Sequence, residues 1–163
     1  MKRQILMAAL FLSAVTLLSN MSFAHDIASG CGSNTNSTVS DETKWKTLCS
    51  TTIDLTDGTH YCVATASAEA ALPVGSSDND YLFVISTAAG GPGLDTAWER
   101  KIEMSDNAGA VNDPDTTVVS TVRYMNLGAG QWTFYWLARP EAAADANLTV
   151  NDHSMGVVCT DGV

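Results

Sequence analysis

The side chains that could carry chemistry are three histidines, several acidic clusters, four cysteines and a few aromatic residues. His25 directly follows Ala24. A cut between them would place His25 at a new N-terminus, where the terminal amine and its own imidazole chelate copper as a pair, given a further histidine. Only His60 and His153 could supply that third ligand. This is the chemistry of a copper carrier or of a copper-dependent oxidative enzyme, with His25 as the metal residue.

The cysteines impose a competing constraint. Cys31, Cys49, Cys62 and Cys159 show no Cys-x-x-Cys spacing, so zinc is not the expected partner. Four cysteines allow three disulfide pairings, and the spacing alone does not choose among them. The expected set is Cys31–Cys49, which ties down a polar N-terminal segment, and Cys62–Cys159, which joins the first long strand to the last. If Cys62 stands directly opposite Cys159 on antiparallel strands, His60 faces Asp161 and His153 faces Ala68. The two histidines then lie about 27 Å apart at the usual strand rise, and no single metal reaches both. The disulfide and a two-histidine site therefore exclude each other, unless the cysteines join different sheets.

The remaining polar groups give weaker signals. Asp78-Asn79-Asp80, Asp106-Asn107 and Asn112-Asp113-Pro114-Asp115 offer hard oxygen ligands for calcium, but none fits an EF-hand, and Asp and Asn favour turns for local hydrogen-bonding reasons. Glu99 and Glu103 share a strand face about 13 Å apart. Glycoside hydrolysis needs two acids about 5–10 Å apart, so this pair does not serve it, and Glu69 stands alone. No Gly-x-Ser-x-Gly setting occurs. With no catalytic motif, a non-enzymatic binding or structural role is expected. Trp98, Trp132 and Tyr135 are candidate rings for stacking on carbohydrate, and Leu137 extends the same surface as Tyr135.

These residues sit on a chain that begins like an exported protein. Lys2 and Arg3 precede an apolar run from Ile5 to Leu18, and Ser22-Phe23-Ala24 supplies small residues at a cleavage site. Residues 1–24 read as a signal peptide, residues 25–44 as a polar arm and residues 45–163 as a single domain. Export to the periplasm or the exterior makes disulfides chemically reasonable. No later segment is apolar and long enough to span a bilayer. With Lys2 and Arg3 removed, six Lys+Arg against 18 Asp+Glu leave a net charge of −12. Such a surface repels phosphate backbones, which excludes nucleic acid as a partner.

From Thr51 onward, short β-branched and aromatic runs alternate with turn signals. The runs are 51–55, 59–68, 81–87, 97–104, 116–125, 131–138, 147–150 and 154–159, with one helical turn over 142–146. About eight strands without long helices predict an antiparallel β-sandwich of jelly-roll type. Thr56-Asp57-Gly58 and Gly128-Ala129-Gly130 read as turns. Along 131–138, Trp132, Phe134 and Trp136 share one face, and Gln131, Thr133, Tyr135 and Leu137 share the other. In 116–125, Val118, Val122 and Tyr124 oppose Val119 and Met125. Strands apolar on both faces need cover on both, from another segment or from another subunit, and self-association is one expected outcome.

The segments Val118-Val119-Ser120-Thr121-Val122 and Leu127-Gly128-Ala129-Gly130-Gln131-Trp132-Thr133-Phe134 resemble strand-turn-strand stretches of C1q/TNF-like jelly-roll heads, as does a short apolar strand near 155–158. The resemblance covers the C-terminal third and implies a trimeric binding or structural head. The collagen-like glycine repeat common in that family is absent.

Overall fold

The computed structural model describes residues 27–72, 79–91, 100–104, 116–143 and 145–161. The expected signal peptide lies outside these residues. The described residues form seven strands: β1 (Ile27–Ser33), β2 (Ser37–Val39), β3 (Lys46–Ala71), β4 (Asn79–Ser86), β5 (Arg100–Met104), β6 (Thr116–Pro140) and β7 (Leu148–Asp161). All pairings are antiparallel, in the order β1-β7-β3-β6-β4-β5, with β2 also on β7. The chain is an all-β sandwich.

Fewer strands form than the turn signals suggest, because two of those signals do not reverse the chain. Thr56-Asp57-Gly58 and Gly128-Ala129-Gly130 lie opposite each other in the β3–β6 ladder. Leu55 pairs with Gly130 and Thr59 with Gly128, so three residues of β3 stand against Ala129 alone. Gly58 (φ 76°) and Gly130 (φ 132°) take conformations that a side chain disfavours. Either glycine cluster alone resembles a hairpin; opposed, they make a bulged bend in two long strands. A second bulge, between Ser67 and Glu69 against β7, merges the two expected C-terminal strands. Asp152 (φ 43°) sits there, a residue type that tolerates the left-handed region.

The bend divides the ladder between two layers. In layer one, β5 pairs with β4, β4 with the C-terminal half of β6, and that half with 46–55 of β3. In layer two, the N-terminal half of β6 pairs with 59–71 of β3, which pairs with β7, which pairs with β1 and β2. Side chains from both layers meet in one core. Layer one contributes bulk, with Tyr81, Phe83, Ile85, Phe134 and Trp136 all fully buried. Layer two contributes the small residues Ala64, Ala66, Ala68 and Ala70 at strand period. Large side chains facing small ones fill the space between sheets without overpacking. Pro140 has no N–H to donate and closes β6.

The segment expected to be a polar arm forms two strands, Ile27–Ser33 and Ser37–Val39. Ile27 through Ser33 pair with Cys159 through His153, and Ser37 through Val39 pair with Val150 through Leu148. Ladder hydrogen bonds need no apolar side chain, so a Ser- and Gly-rich sequence can add a strand once its neighbour exists. Cys31 bonds to Cys49, with Cα atoms 6.0 Å apart, and so clasps β1 of layer two to β3 of layer one. Ser29 Oγ and Thr51 Oγ1, 2.6 Å apart, share a hydrogen bond across the same edge. At the opposite edge, Arg123 of layer two donates to the Ile85 carbonyl of layer one. Burial lowers the pKa of that guanidinium from its usual range.

Cys62 bonds to Cys159 across directly paired strands, and both expected disulfides are formed. Residues 142–146 hold a turn in which Asp145 N donates to Ala142 O (3.1 Å) and Ala142 N donates to Asp145 Oδ2 (2.8 Å). Among the described residues no helix is long and apolar enough to cross a membrane.

The two disulfides should differ in worth. Cys62–Cys159 spans 97 residues and Cys31–Cys49 spans 18. In the chain-entropy account the longer closure is worth about 4.7 kcal/mol and the shorter about 3 kcal/mol. Urea unfolding of the Cys62→Ala/Cys159→Ala and Cys31→Ala/Cys49→Ala variants should show the larger loss for the first pair.

Candidate functional site

The two layers each present an outer face, and the chain treats them differently. On layer one, Leu82, Val84 and Leu137 point away from the core, yet all are buried, Leu137 completely. Beside them Arg139 is also buried. Its Nη1 donates to the Glu42 carbonyl at 3.1 Å, and its guanidinium lies 5.0 Å from the centre of the Trp45 ring. Gly91 (φ 76°) packs so closely on the Trp45 indole that a Cβ there would collide with it. Thus the chain itself supplies cover for this face.

Layer two has no such cover among the described residues. Val118 is 78% exposed, Tyr124 69%, Tyr61 54% and Val122 52%. Strand alternation places Tyr61, Val63, Thr65, Ser67 and Glu69 of β3 on this face. The register sets Tyr124, Val122, Ser120 and Val118 of β6 opposite Val63, Thr65, Ser67 and Glu69. On the other side of β3, Val158, Gly156 and Ser154 of β7 complete the same rows. Gly30 of β1 pairs with Gly156, which keeps the surface low at that edge.

Two shallow hollows lie along the face. One, of about 250 Å³, is lined mainly by Thr65, Ser67, Ser120, Val122, Ser154 and Gly156. The other, of about 240 Å³, lies between Tyr61, Tyr124 and Asn126. Tyr61 and Tyr124 are diagonal neighbours across the ladder, roughly 7–8 Å apart. A chain with 18 acidic residues thus presents a face whose central rows carry no charged side chain among the described residues, with Glu69 and the exposed Asp152 of the β7 bulge at one end. Hydroxyls, glycines and two phenol rings offer hydrogen bonding and stacking.

The residues singled out from sequence do not converge on one surface. Trp132 is partly buried against the core, its Nε1 donating to Gly128 O at 2.9 Å. Tyr135 points to the opposite side of β6, onto the covered face beside Leu137. Leu137 therefore offers no contact surface. His60 is buried, with Nδ1 3.1 Å from Asp161 Oδ1, the partner that the disulfide register requires. His153 is buried near the β7 bulge, at the far end of that ladder.

Asn79 and Asp80 of the proposed calcium loop have local partners. Asn79 Oδ1 accepts from Ala146 N (2.6 Å), and Asp80 Oδ2 pairs with Lys101 Nζ (2.9 Å). Lys101 also reaches Glu141 (2.6 Å), and these two carboxylates hold its ammonium pKa above the usual range. His25, Trp98, Glu99, Asp78 and residues 105–115 lie outside the described residues. Among the described residues no group of three or more His, Cys, Asp and Glu is placed to hold a metal ion.

Tyr61 was not singled out from sequence, and Tyr124 only as one of several strand residues. Their period-two spacing was visible, but which strand face stays uncovered is not a property of either strand.

No family model matches the chain, and no curated protein matches it. Among solved structures, the CBM22-1 xylan-binding domain of Paenibacillus barcinonensis Xyn10C aligns over 86% of this chain and 86% of its own length, at 12% identity and a TM-score of 0.35. An exo-beta-1,3-galactanase from Phanerochaete chrysosporium aligns over 85% of this chain and 29% of its own, at 12% identity and a TM-score of 0.24. Likeness of this degree has no bearing on ligand or activity.

The asymmetry of the faces is directly measurable. Leu137→Ala should cost about 2–5 kcal/mol, as a buried truncation. Val122→Lys on the same strand should change stability by about 0.5 kcal/mol or less, as an exposed substitution. Gly91→Ala should destabilise and shift tryptophan fluorescence, because it combines a disfavoured φ with the Trp45 contact. Chemical denaturation of the three variants checks all of these.

Proposed function

We propose that this chain is an exported, non-enzymatic binding module whose working surface is the sparsely charged outer face of layer two. The observation that carries this is the contrast between faces. The fold covers the apolar outer side of layer one from within and leaves Val118, Val122, Tyr61 and Tyr124 bare on layer two. Exposed apolar and aromatic residues grouped on one flat sheet face mark an interaction site more often than a structural need. Export is supported by the N-terminal leader pattern and by the two disulfides, which persist in oxidising compartments. A second reading places another copy of the chain on the same face. The exposed Val118, Val122 and Val158 favour it, and a trimeric head of the C1q/TNF-like kind would bury such a face.

Tyrosine nitration tests occupancy without knowledge of the partner. Tyr61 and Tyr124 should react slowly in intact cultures that secrete the protein and quickly after purification, while the fully buried Tyr81 stays unreactive in both. Equal reactivity of Tyr61 and Tyr124 before and after purification would remove this face as the working surface. Light scattering on the purified protein decides the second reading. A mass that rises with concentration and falls to the monomer in Val122→Lys assigns the face to a second copy.

A further inference from the structure

We infer that the occupant of this face is an uncharged polysaccharide chain, lying along β3 from the Tyr61–Tyr124 hollow across the Thr65–Ser67–Ser120–Ser154 hollow. The inference rests on the binding surface proposed above and names its ligand class.

Charge is the first argument. The remainder of the chain is strongly acidic, so an anionic glycan or nucleic acid would be repelled on approach, and among the described residues the central rows of the face carry no charge to hold a cation, Glu69 and Asp152 lying at one end. A neutral partner suffers neither effect.

The distribution of side chains separates a glycan from a second copy. A protein–protein contact concentrates its aromatic and apolar anchors at the centre and places polar groups around the rim. This face instead mixes the two kinds along its length: the row of Thr65, Val122 and Gly156 and the row of Ser67, Ser120 and Ser154 lie between Tyr61, Tyr124 and Val158 at one end and Val118 at the other, so Val122 is the one large apolar group among the central hydroxyls. Hydroxyls both donate and accept, so a row of them can exchange hydrogen bonds with sugar hydroxyls in several registers. The two phenol rings supply flat apolar surface for the C–H faces of a sugar, and each keeps a polar edge.

Shape adds a third argument. The hollows hold about 250 Å³ and 240 Å³. Each is smaller than the clefts of roughly 300–1,000 Å³ that enclose compact small molecules. Two shallow depressions in line along one strand suit an extended polymer that rests on the surface. Gly156 forms low ground in the first hollow, where an added Cβ would meet nothing closer than Thr65 Oγ1 at 4.0 Å.

Affinity electrophoresis of the purified full-length secreted protein tests this, in gels containing xylan, a mixed-linkage β-glucan or a β-mannan, with polygalacturonate as the charged control. Retardation is expected in at least one neutral gel and absent in polygalacturonate. It should change little with added salt, because screening acts only on charges. Tyr124→Ala and Tyr61→Ala should each weaken binding about tenfold, whereas Tyr124→Phe retains it. Gly156→Leu should abolish binding by filling the hollow while leaving the melting temperature unchanged, since the substitution meets open space. Absence of retardation in every neutral gel, or retardation unaffected by Tyr61→Ala, Tyr124→Ala and Gly156→Leu, would overturn the proposal. If nitration still shows the face occupied in culture, the binding surface stands and the glycan alone fails; if the tyrosines are equally reactive throughout, the surface fails as well.

Discussion

Backbone hydrogen bonding between β3 and β6 runs from Lys46–Ala138 to Ala71–Thr116, through both layers of the sandwich, and every other described strand is attached to it directly, through β4 or through β7. The sandwich exists because this ladder bends once, where Gly58 and Gly130 allow backbone angles that other residues resist. Folded over, it brings the aromatic side chains of layer one against the alanine row of layer two. The two open edges are then clasped, one by Cys31–Cys49 and the other by Arg123 on the Ile85 carbonyl. Cys62–Cys159 acts differently: it joins neighbours within layer two and fixes the register that keeps His60 and His153 apart.

That architecture explains why the two faces of one strand meet different fates. The C-terminal half of β6 lies between β4 and β3, with Trp45, Arg139 and Gly91 packed over its outer side. The N-terminal half belongs to layer two, where the strands beside it present Ser, Thr and Gly. Valines and tyrosines on that half therefore stay in water. Apolar surface left in solvent by an otherwise well-covered fold has a cost in solubility, and its retention on a sparsely charged sheet face is the physical basis for proposing a binding role for it.

Given the expected pairing of Cys62 with Cys159, the position of His60 opposite Asp161 could be worked out because antiparallel register is simple arithmetic. The inward set Trp132, Phe134 and Trp136 was legible for the same reason: side chains alternate on a strand. The bend was misread because glycine permits several backbone angles, and which one it adopts depends on what lies across the ladder. Residues 27–33 were misread because their pairing is made by backbone groups, which every residue carries.

The sequence by itself determined the strand class, the alternation of faces and a disulfide framework, because these follow from local geometry and from the positions of a few reactive groups. Only the tertiary structure decided which face stays uncovered. That depends on contacts between Arg139, Trp45 and Gly91, residues far apart in the chain. By the same non-local fact Tyr61 and Tyr124 are exposed, whereas Trp132 and Tyr135 are half-buried and Leu137 is buried. All five sit on strands of similar pattern, and exposure is set by neighbours that the pattern does not name.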